Sequence, residues 1–301
     1  MSTPTDGVLV VDKPSGPTSH DVVAVARRAL GTPRVGHTGT LDPIATGVLA
    51  LVVGRATRLA RYMAGDVKTY EAQVTFGQAT DTYDSQGTVT RDEGRHPNRD
   101  ALAVALERFS GHIRQTPPAY SAKKIGGHAA YRLARRNTPV LPAAVDVVVH
   151  DLRLAAYEGG VATLIVRVSS GFYVRSLAHD LGTLLDTGAH LSALRRTQAG
   201  AFDLAGALSW DTLVRGGAAA RQALVPIDRL LTAMPAVVLA SNDAARVRHG
   251  QTVQATLPPD ASDSPVRLVD EAALLIGIAE ARPCPAGSIG PSVLQPVVIL
   301  S

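Results

Sequence analysis

The chain has 301 residues, with 30 lysines and arginines against 26 acidic residues, a net charge of +4 and a pI near 9.4. Hydrophobic residues make up 46% of it, enough for a packed core, which excludes a wholly disordered polyelectrolyte. The single cysteine, Cys284, excludes an intramolecular disulfide and a multi-thiolate zinc site. With no apolar run near the roughly 20 residues of a membrane helix and no basic leader, the sequence predicts a cytoplasmic protein.

The first 60 residues predict two buried strands around a helix. Residues 7–11 and 48–53 are apolar runs of strand length. Between them, the spacing of apolar residues over 22–30 predicts a helix with Ser19 as its N-cap. A loop rich in glycine and threonine, residues 35–46, leads into the second strand.

The middle of the chain predicts a mixture of strands and helices. Residues 69–76 alternate with period two, which predicts a strand with Tyr70 on its apolar face. The periodicity further predicts helices over 98–109 and 174–185 and strands over 145–154 and 161–168.

Beyond Pro235 the sequence changes to short strand-like runs separated by turns rich in proline, glycine, aspartate and serine. The runs lie at 236–239, 266–269, 273–279 and 293–300. We therefore expect two domains, residues 1–233 and a smaller β module over 234–301.

The search for catalytic motifs leaves carboxylate chemistry. The sequence contains no glycine-rich phosphate loop, no serine-hydrolase elbow and no His-Glu zinc helix. Asp42 lies in a turn-rich loop directly before Pro43, where it either bends the loop or presents a nucleophile or general base. Arg175, in an apolar context, needs a carboxylate partner, for which Asp42 and Asp180 are the candidates, unless it faces solvent.

The charge asymmetry is greatest between Gln115 and Val145, where no acidic residue occurs. Such a stretch is either a solvated loop or an arm that binds nucleic-acid phosphates, and interleaved aromatic rings favour the arm because they stack on bases. Its cations and tyrosines are Tyr120, Lys123, Lys124, Tyr131, Arg132, Arg135 and Arg136.

An ordered series of motifs closely resembles the TruB family of tRNA pseudouridine synthases, which act on uridine 55. The resemblance covers residues 7 to about 200. Its blocks are GVLVVDKPSGPTS at 7–19, VGHTGTLDP at 35–43, ATGVL at 45–49, KTY at 68–70, TDTYD at 80–84, QTPPAYSAK at 115–123, GFYVRSLAHDLG at 171–182 and LRRT at 194–197.

The resemblance implies an α+β fold: a mixed, largely antiparallel sheet flanked by helices, followed by a small C-terminal PUA-like β barrel. It implies that uridine is isomerised to pseudouridine after base flipping, through an aspartate and without a metal or organic cofactor. The implied partner is the T-arm stem-loop of tRNA. We expect a monomer that needs no protein partner.

The resemblance also implies roles for particular residues. Asp42 matches the catalytic aspartate and Arg175 the arginine that pairs with it. Tyr70 matches the tyrosine that stacks on the flipped uracil, and His37 the histidine that supports the flipped nucleotides. Tyr173 and Leu194 match residues that line the uracil pocket. The expected RNA-binding residues are Lys13 and, within an insertion at about 112–145, Lys123, Lys124 and Arg132.

Two other functions compete with this one. A non-catalytic tRNA-binding or folding protein could use the same cleft to open and refold the T arm. It would not need Asp42, Tyr70 and Arg175 together, so their joint presence favours catalysis. A relative that acts through a guide RNA and partner proteins is disfavoured by the short chain without a long charged tail.

Replacing Lys123, Lys124 or Arg132 with alanine is expected to weaken tRNA binding and flatten its salt dependence, because fewer counterions are released from phosphates. The slope of log Kd against log salt concentration should fall by about one for each phosphate that the variant no longer neutralises. An unchanged slope would contradict the assignment.

Overall fold

The computed structural model describes residues 6–121, 123–125, 128–130, 140–259, 261, 265–282 and 292–300. Arg132 and its neighbours Tyr131, Arg135 and Arg136 lie outside the described residues, as does Cys284. Of Lys124 only the backbone is described.

A large sheet of eleven strands forms the main body of the described chain, in the order β14-β1-β3-β12-β4-β11-β10-β7, with β2 beside β3, β13 beside β12 and β15 beside β1. Only the pairs β1–β14 and β3–β12 are parallel, so the sheet is mixed and largely antiparallel, as predicted. Two small hairpins, β5–β6 and β8–β9, stand apart from it. The strands up to residue 226 are β1 (Gly7–Lys13), β2 (Val35–His37), β3 (Thr46–Val53), β4 (Lys68–Phe76), β5 (Gln78–Thr80), β6 (Val89–Asp92), β7 (Gly111–Gln115), β8 (Lys124–Ile125), β9 (His128–Ala129), β10 (Val145–Glu158), β11 (Val161–Val168), β12 (Ala189–Ala199), β13 (Phe202–Asp203), β14 (Leu208–Ser209) and β15 (Leu224–Pro226).

Strand burial follows the sequence pattern. The apolar run of β3 is buried almost throughout, because both faces of the sheet are covered there. Strand β4 alternates, with Tyr70 buried and Glu71 exposed, so the predicted orientation of Tyr70 is confirmed. Strand β10 continues four residues past its predicted end at Leu154, through a β-bulge.

Helices cover one face of the large sheet, where α1, α3 and α4 pack into its core. In the described residues the helices are α1 (Ser19–Leu30), α2 (Ala60–Ala64), α3 (Arg99–Glu107), α4 (Val174–Leu184), α5 (Trp210–Arg215), α6 (Ala218–Gln222) and α7 (Ser241–Arg248), with 3₁₀ turns at Gly54–Leu59 and Ile227–Arg229. None of these helices has the length and apolar composition needed to cross a membrane.

The N-cap of α1 is Thr18, which corrects the prediction of Ser19. The Thr18 hydroxyl accepts a hydrogen bond from the Asp21 amide, and the Asp21 carboxylate accepts one from the Thr18 amide, which completes a capping box. Ser19 is the first residue of the helix, and its buried hydroxyl bonds to the loop at Leu41 instead.

The C-terminal part forms a separate five-stranded sheet in the order β16-β18-β19-β20-β17. Its strands are β16 (Ala236–Val238), β17 (Val253–Ala255), β18 (Val266–Val269), β19 (Leu275–Arg282) and β20 (Ser292–Ile299). The predicted strand at 273–279 begins two residues late, because Ala273 adopts a positive φ in a turn that its amide closes on Asp270. The three-residue strand β17 was not predicted.

Gly47 permits the parallel contact of β3 with β12 and has a φ of 98°. A Cβ at this position would lie 2.2 Å from the carbonyl oxygen of Arg196. Gly47→Ala is therefore expected to lower the free energy of unfolding by about 3 kcal/mol or more, from clash and backbone strain together.

Denaturant unfolding measures the loss, and Gly65→Ala is the matched control. Gly65 has a helical φ and nothing within 4 Å of its would-be Cβ, so this variant should unfold like the parent. Equal stability of Gly47→Ala and the parent would contradict the close contact.

Candidate active site

The loop between β2 and β3 presents Asp42, and buried side chains fix its backbone on three sides. The Ser19 hydroxyl donates to the Leu41 carbonyl at 2.9 Å and accepts from the Leu41 amide at 2.8 Å. The Arg196 guanidinium donates to the carbonyls of Gly39 and Thr40 at 3.1 and 3.4 Å. The Lys13 ammonium donates to the Pro43 carbonyl at 3.3 Å. The loop is thus rigid around the carboxylate.

Arg175, in the first turn of α4, lies against Asp42. Its Nε is 2.9 Å from Asp42 Oδ2, an ion-pair contact whose N–H direction does not make a hydrogen bond. The hydrogen bond runs from Nη2 to Oδ1 at 3.3 Å. The Arg175 side chain is 7% exposed and that of Asp42 34%, so the carboxylate is partly accessible to solvent and the guanidinium beside it is buried. Of the two candidate partners for Arg175, the structure selects Asp42.

Asp84 is a second carboxylate of this cluster, which was not assigned from the sequence. Its Oδ2 is 3.6 Å from Nη1 of Arg175, and its side chain is 7% exposed. Oδ1 accepts hydrogen bonds from the Thr82 hydroxyl and the Gln86 amide at 2.7 and 3.1 Å. The sequence signal for this residue was the second aspartate of the TDTYD block, because a buried arginine favours carboxylate partners.

Tyr83 shapes the turn that carries Asp84. It has a positive φ of 65°, unusual for a bulky residue, and its ring stacks on that of His179 at 3.8 Å between centroids. His179 lies four residues after Arg175 on α4, so both side chains project from one side of the helix. His179 contacts Tyr83, and Arg175 contacts Asp84. The Thr82 carbonyl also accepts a hydrogen bond from Arg175 at 3.1 Å.

The predicted uracil-pocket residues flank this cluster. Tyr173 is the N-cap residue of α4, and both its backbone polar groups bond to the buried side chain of Gln115. The Tyr173 amide donates to the Gln115 side-chain oxygen at 2.8 Å, and the Tyr173 carbonyl accepts from the Gln115 side-chain nitrogen at 3.0 Å. Burial raises the pKa of the Tyr173 phenol. On the adjacent strands, Leu194 pairs with Ala72 and Arg196 with Tyr70, so Tyr70 and Leu194 share one face of the sheet. Both are 8% exposed.

His37 ends β2 at the start of the loop and is half-buried. Its Nδ1 is buried with no hydrogen-bond partner within the described part of the chain, and its ring contacts that of His20 edge-on at 5.6 Å. Burial lowers the pKa of the imidazole, and the neighbouring His20 and Arg196 lower it further. A neutral ring is therefore favoured beside the loop.

Lys13 does not match its expected role in RNA binding. Its side chain is fully buried, and its ammonium donates to the carbonyls of Pro14, Pro17 and Pro43. Burial lowers the pKa of this ammonium to about 8. An amine enclosed by three carbonyls fixes the turn after β1 and does not reach an RNA phosphate.

The expected RNA-binding insertion is only partly described. Lys123 is half-buried, and its carbonyl accepts a hydrogen bond from the Ala130 amide at 2.7 Å. Lys124 lies in β8, paired with Ala129 of β9. The described residues contain no group of three or more histidine, cysteine, aspartate or glutamate side chains suited to a metal ion.

Three family models match the chain in succession. Residues 27–174 match the N-terminal domain model of the TruB family of pseudouridylate synthases, and residues 175–232 match a tRNA pseudouridylate synthase B C-terminal domain. Residues 235–294 match a model described as pseudouridine synthase II TruB, C-terminal.

Similar full-length proteins are named tRNA pseudouridine synthase B. The protein from Symbiobacterium thermophilum is 50% identical over 249 residues, which cover 81% of this chain and 82% of that relative. The protein from Thermobifida fusca is 41% identical over 306 residues, or 98% of this chain and 99% of that relative.

Solved structures share the fold. A chain in the crystal structure of a Cbf5–Nop10–Gar1 complex aligns with a TM-score of 0.75 at 25% identity, over 99% of this chain and 85% of that one. An H/ACA RNP bound to a substrate RNA containing 2′-deoxyuridine also has a TM-score of 0.75, at 23% identity, over 99% of this chain and 86% of that one. The predicted α+β fold with a PUA-like C-terminal sheet is thus confirmed.

Asp180 is expected to make stability depend on pH. Burial raises the pKa of its carboxyl from 3.8 to about 6. The folded state therefore binds more protons than the unfolded state between about pH 4 and pH 6, so this group's contribution to stability falls as pH rises through that window. The full shift corresponds to about 3 kcal/mol, which partial exposure reduces to about 1 kcal/mol.

Denaturant unfolding of Asp180→Asn and the parent as a function of pH tests this. The variant should be more stable by about 1 kcal/mol at pH 7, and the difference should vanish below about pH 4. Asp186→Asn is the control: its carboxylate pairs with Arg91 and Arg95, which lower its pKa, so the sign of the effect should reverse. A constant difference across pH would contradict the prediction.

Proposed function

The chain belongs to the TruB family of pseudouridylate synthases, and we propose that it isomerises uridine 55 in the T loop of tRNA to pseudouridine. The coarser function, a tRNA pseudouridine synthase, rests on relatives of that name that align along most of the chain. The observation that carries the proposal is the ion pair of Asp42 with Arg175 at 2.9 Å, on a loop whose backbone is fixed by buried side chains.

The reaction breaks the bond between the sugar and a base nitrogen and rejoins the base through carbon. An aspartate has three routes: attack on the base, attack on the sugar, or removal of a sugar proton. Each begins from an ionised carboxylate, and the Arg175 guanidinium is the ion-pair and hydrogen-bond partner of the Asp42 carboxylate. The rigid loop supplies orientation, so little motion is needed when the substrate arrives.

The target uridine must leave its stack to bring its base and sugar to the Asp42 carboxylate. Flipping costs a few kcal/mol, which stacking and backbone contacts offset. In our proposal Tyr70 stacks on the flipped uracil and is the candidate for proton transfer at the base carbon. Tyr173 and Leu194 line the uracil pocket, and the neutral ring of His37 supports the neighbouring nucleotides.

Two further parts of the chain are assigned to the binding of RNA outside the target loop. We propose that the insertion at about 112–145, with Lys123, Lys124 and Arg132, binds the T-arm backbone, and that residues 234–301 form a PUA-like RNA-binding domain after a catalytic domain of residues 1–233. We further propose a cytoplasmic monomer that acts without a protein partner and without a cofactor.

A non-catalytic tRNA-binding protein is the disfavoured alternative. Binding alone gives no reason to bury the Arg175 guanidinium beside a carboxylate on a fixed loop, because burying a charge costs solvation energy. The same cost is readily explained where the pair acts in a reaction.

Asp42→Asn is expected to abolish turnover, by more than about a thousandfold, and to leave the Kd for tRNA within about threefold, since the loop bonds that fix residue 42 do not use its carboxylate. The measurement is site-specific mapping of pseudouridine in an unmodified tRNA transcript, with binding measured in parallel. Asp12→Asn is the matched control, because Asp12 pairs with Arg195 at 2.8 Å at the surface.

Full activity of Asp42→Asn would refute the catalytic assignment. Pseudouridine formed by the parent at another uridine would refute position 55 and leave the family function intact.

A further inference from the structure

Two adjacent arginines in β12, Arg195 and Arg196, have different environments. Arg195 pairs with Glu71 across the sheet, and its side chain, 39% exposed, forms an ion pair with Asp12. Arg196 pairs with Tyr70 and is 2% exposed. Successive residues of a strand point to opposite faces, so Arg196 lies on the face of Tyr70 and Leu194. The sequence motif LRRT gives no sign of this difference.

We propose that Arg196 is a positioning residue for the isomerisation: it fixes the backbone that precedes Asp42 and so sets where the carboxylate meets the flipped uridine. This inference rests on the proposed function. It assigns to Arg196 a task separate from that of Arg175, which contacts the carboxylate itself.

The hydrogen bonds of Arg196 join the loop to the sheet. Nε donates to the Val48 carbonyl at 2.7 Å, at the start of β3. The two terminal nitrogens donate to the carbonyls of Gly39 and Thr40 at 3.1 and 3.4 Å. One planar group thus connects the loop before Asp42 with the strand after it. A lysine ammonium is a point donor on a flexible stem and cannot reproduce this spread of donors.

The burial of Arg196 has no explanation in ion pairing. Within the described residues, no carboxylate lies within 4.0 Å of its guanidinium, in contrast to Arg175 and Arg195. A buried, unpaired guanidinium is costly, and a well-packed apolar side chain would fill the same space at lower cost. The contribution of this guanidinium is its hydrogen bonds to three backbone carbonyls, two of which belong to the loop before Asp42.

Ser19, at the start of α1, also fixes the backbone of the loop before Asp42. Its hydroxyl fixes both backbone polar groups of Leu41, the residue between Thr40 and Asp42. Removal of either side chain leaves buried loop carbonyls or an amide without a partner and lets residue 42 move. A displacement of about 1 Å at a reacting group costs about a hundredfold in rate.

The test is the single-turnover rate of pseudouridine formation with the enzyme in saturating excess over tRNA, and the Kd is measured separately. Arg196→Met should reduce the rate about a hundredfold with a Kd within about threefold of the parent, and Arg196→Lys about tenfold. The control Arg195→Met removes the adjacent charge on the other face and Arg195→Lys retains it, and both should leave the rate within about threefold. Because the enzyme is in saturating excess, partial unfolding would lower the concentration of folded enzyme and leave the plateau rate constant unchanged.

Ser19→Ala provides a second approach and should slow the reaction in the same way with an unchanged Kd. If Arg196→Met does not fold, Arg196→Lys and Ser19→Ala decide the question. Parental rates in both would overturn the proposal. A weaker Kd with a flatter salt dependence and a parental rate at saturation would also overturn it, since Arg196 would then bind RNA directly. If the parent itself forms no pseudouridine, the proposed function fails first and this inference fails with it.

Discussion

The buried guanidinium of Arg175 is the constraint on which the site depends. With 7% of its side chain exposed, it requires charge and hydrogen-bond partners, because an isolated buried cation is strongly unfavourable. It obtains them from segments far apart in sequence: Asp42, Asp84, and the carbonyls of Thr82 and Tyr120. The need to neutralise one arginine therefore brings together the loop after β2, the turn after β5 and the start of the insertion. The position of the Asp42 carboxylate follows from this convergence.

A second layer of interactions limits how the carboxylate can move. The buried side chains of Lys13, Ser19 and Arg196 each donate a hydrogen bond to a backbone carbonyl of the loop that carries Asp42. The three residues belong to different elements, β1, α1 and β12. The loop is rich in glycine and threonine and would be mobile in isolation. Its rigidity comes from the surrounding fold, which had to satisfy these buried backbone groups in any case. Orientation of the carboxylate is thus a property of the packed sheet and not of the loop sequence.

Local patterns predicted many of the elements, but not the central strand β12, and tertiary contacts decided the rest. The alternation around Tyr70 fixed its face because period-two burial depends only on neighbouring residues. The use of the Ser19 hydroxyl by the loop and the enclosure of Lys13 depend on Leu41 and Pro43, distant residues that local sequence does not bring together. Asp84 and Arg196 were in the quoted motifs, yet a motif states which residues occur and not which of them are buried. The resemblance to a known family supplied the roles that composition left open, including the choice between two functions for Asp42.

The C-terminal sheet helps to hold the loop that carries Asp42 in place. One face of β1 and β3 packs on the helices through residues such as Leu9 and Leu51, and the other packs through Val8 and Val52 into a cluster that includes Ile278 and Val298 of the C-terminal sheet. Strand β3 follows the loop directly and receives the Arg196 hydrogen bond at Val48. Loss of the C-terminal sheet would expose the apolar outer face of the strand that anchors Asp42. The C-terminal sheet and the loop that carries Asp42 are therefore coupled through a shared core.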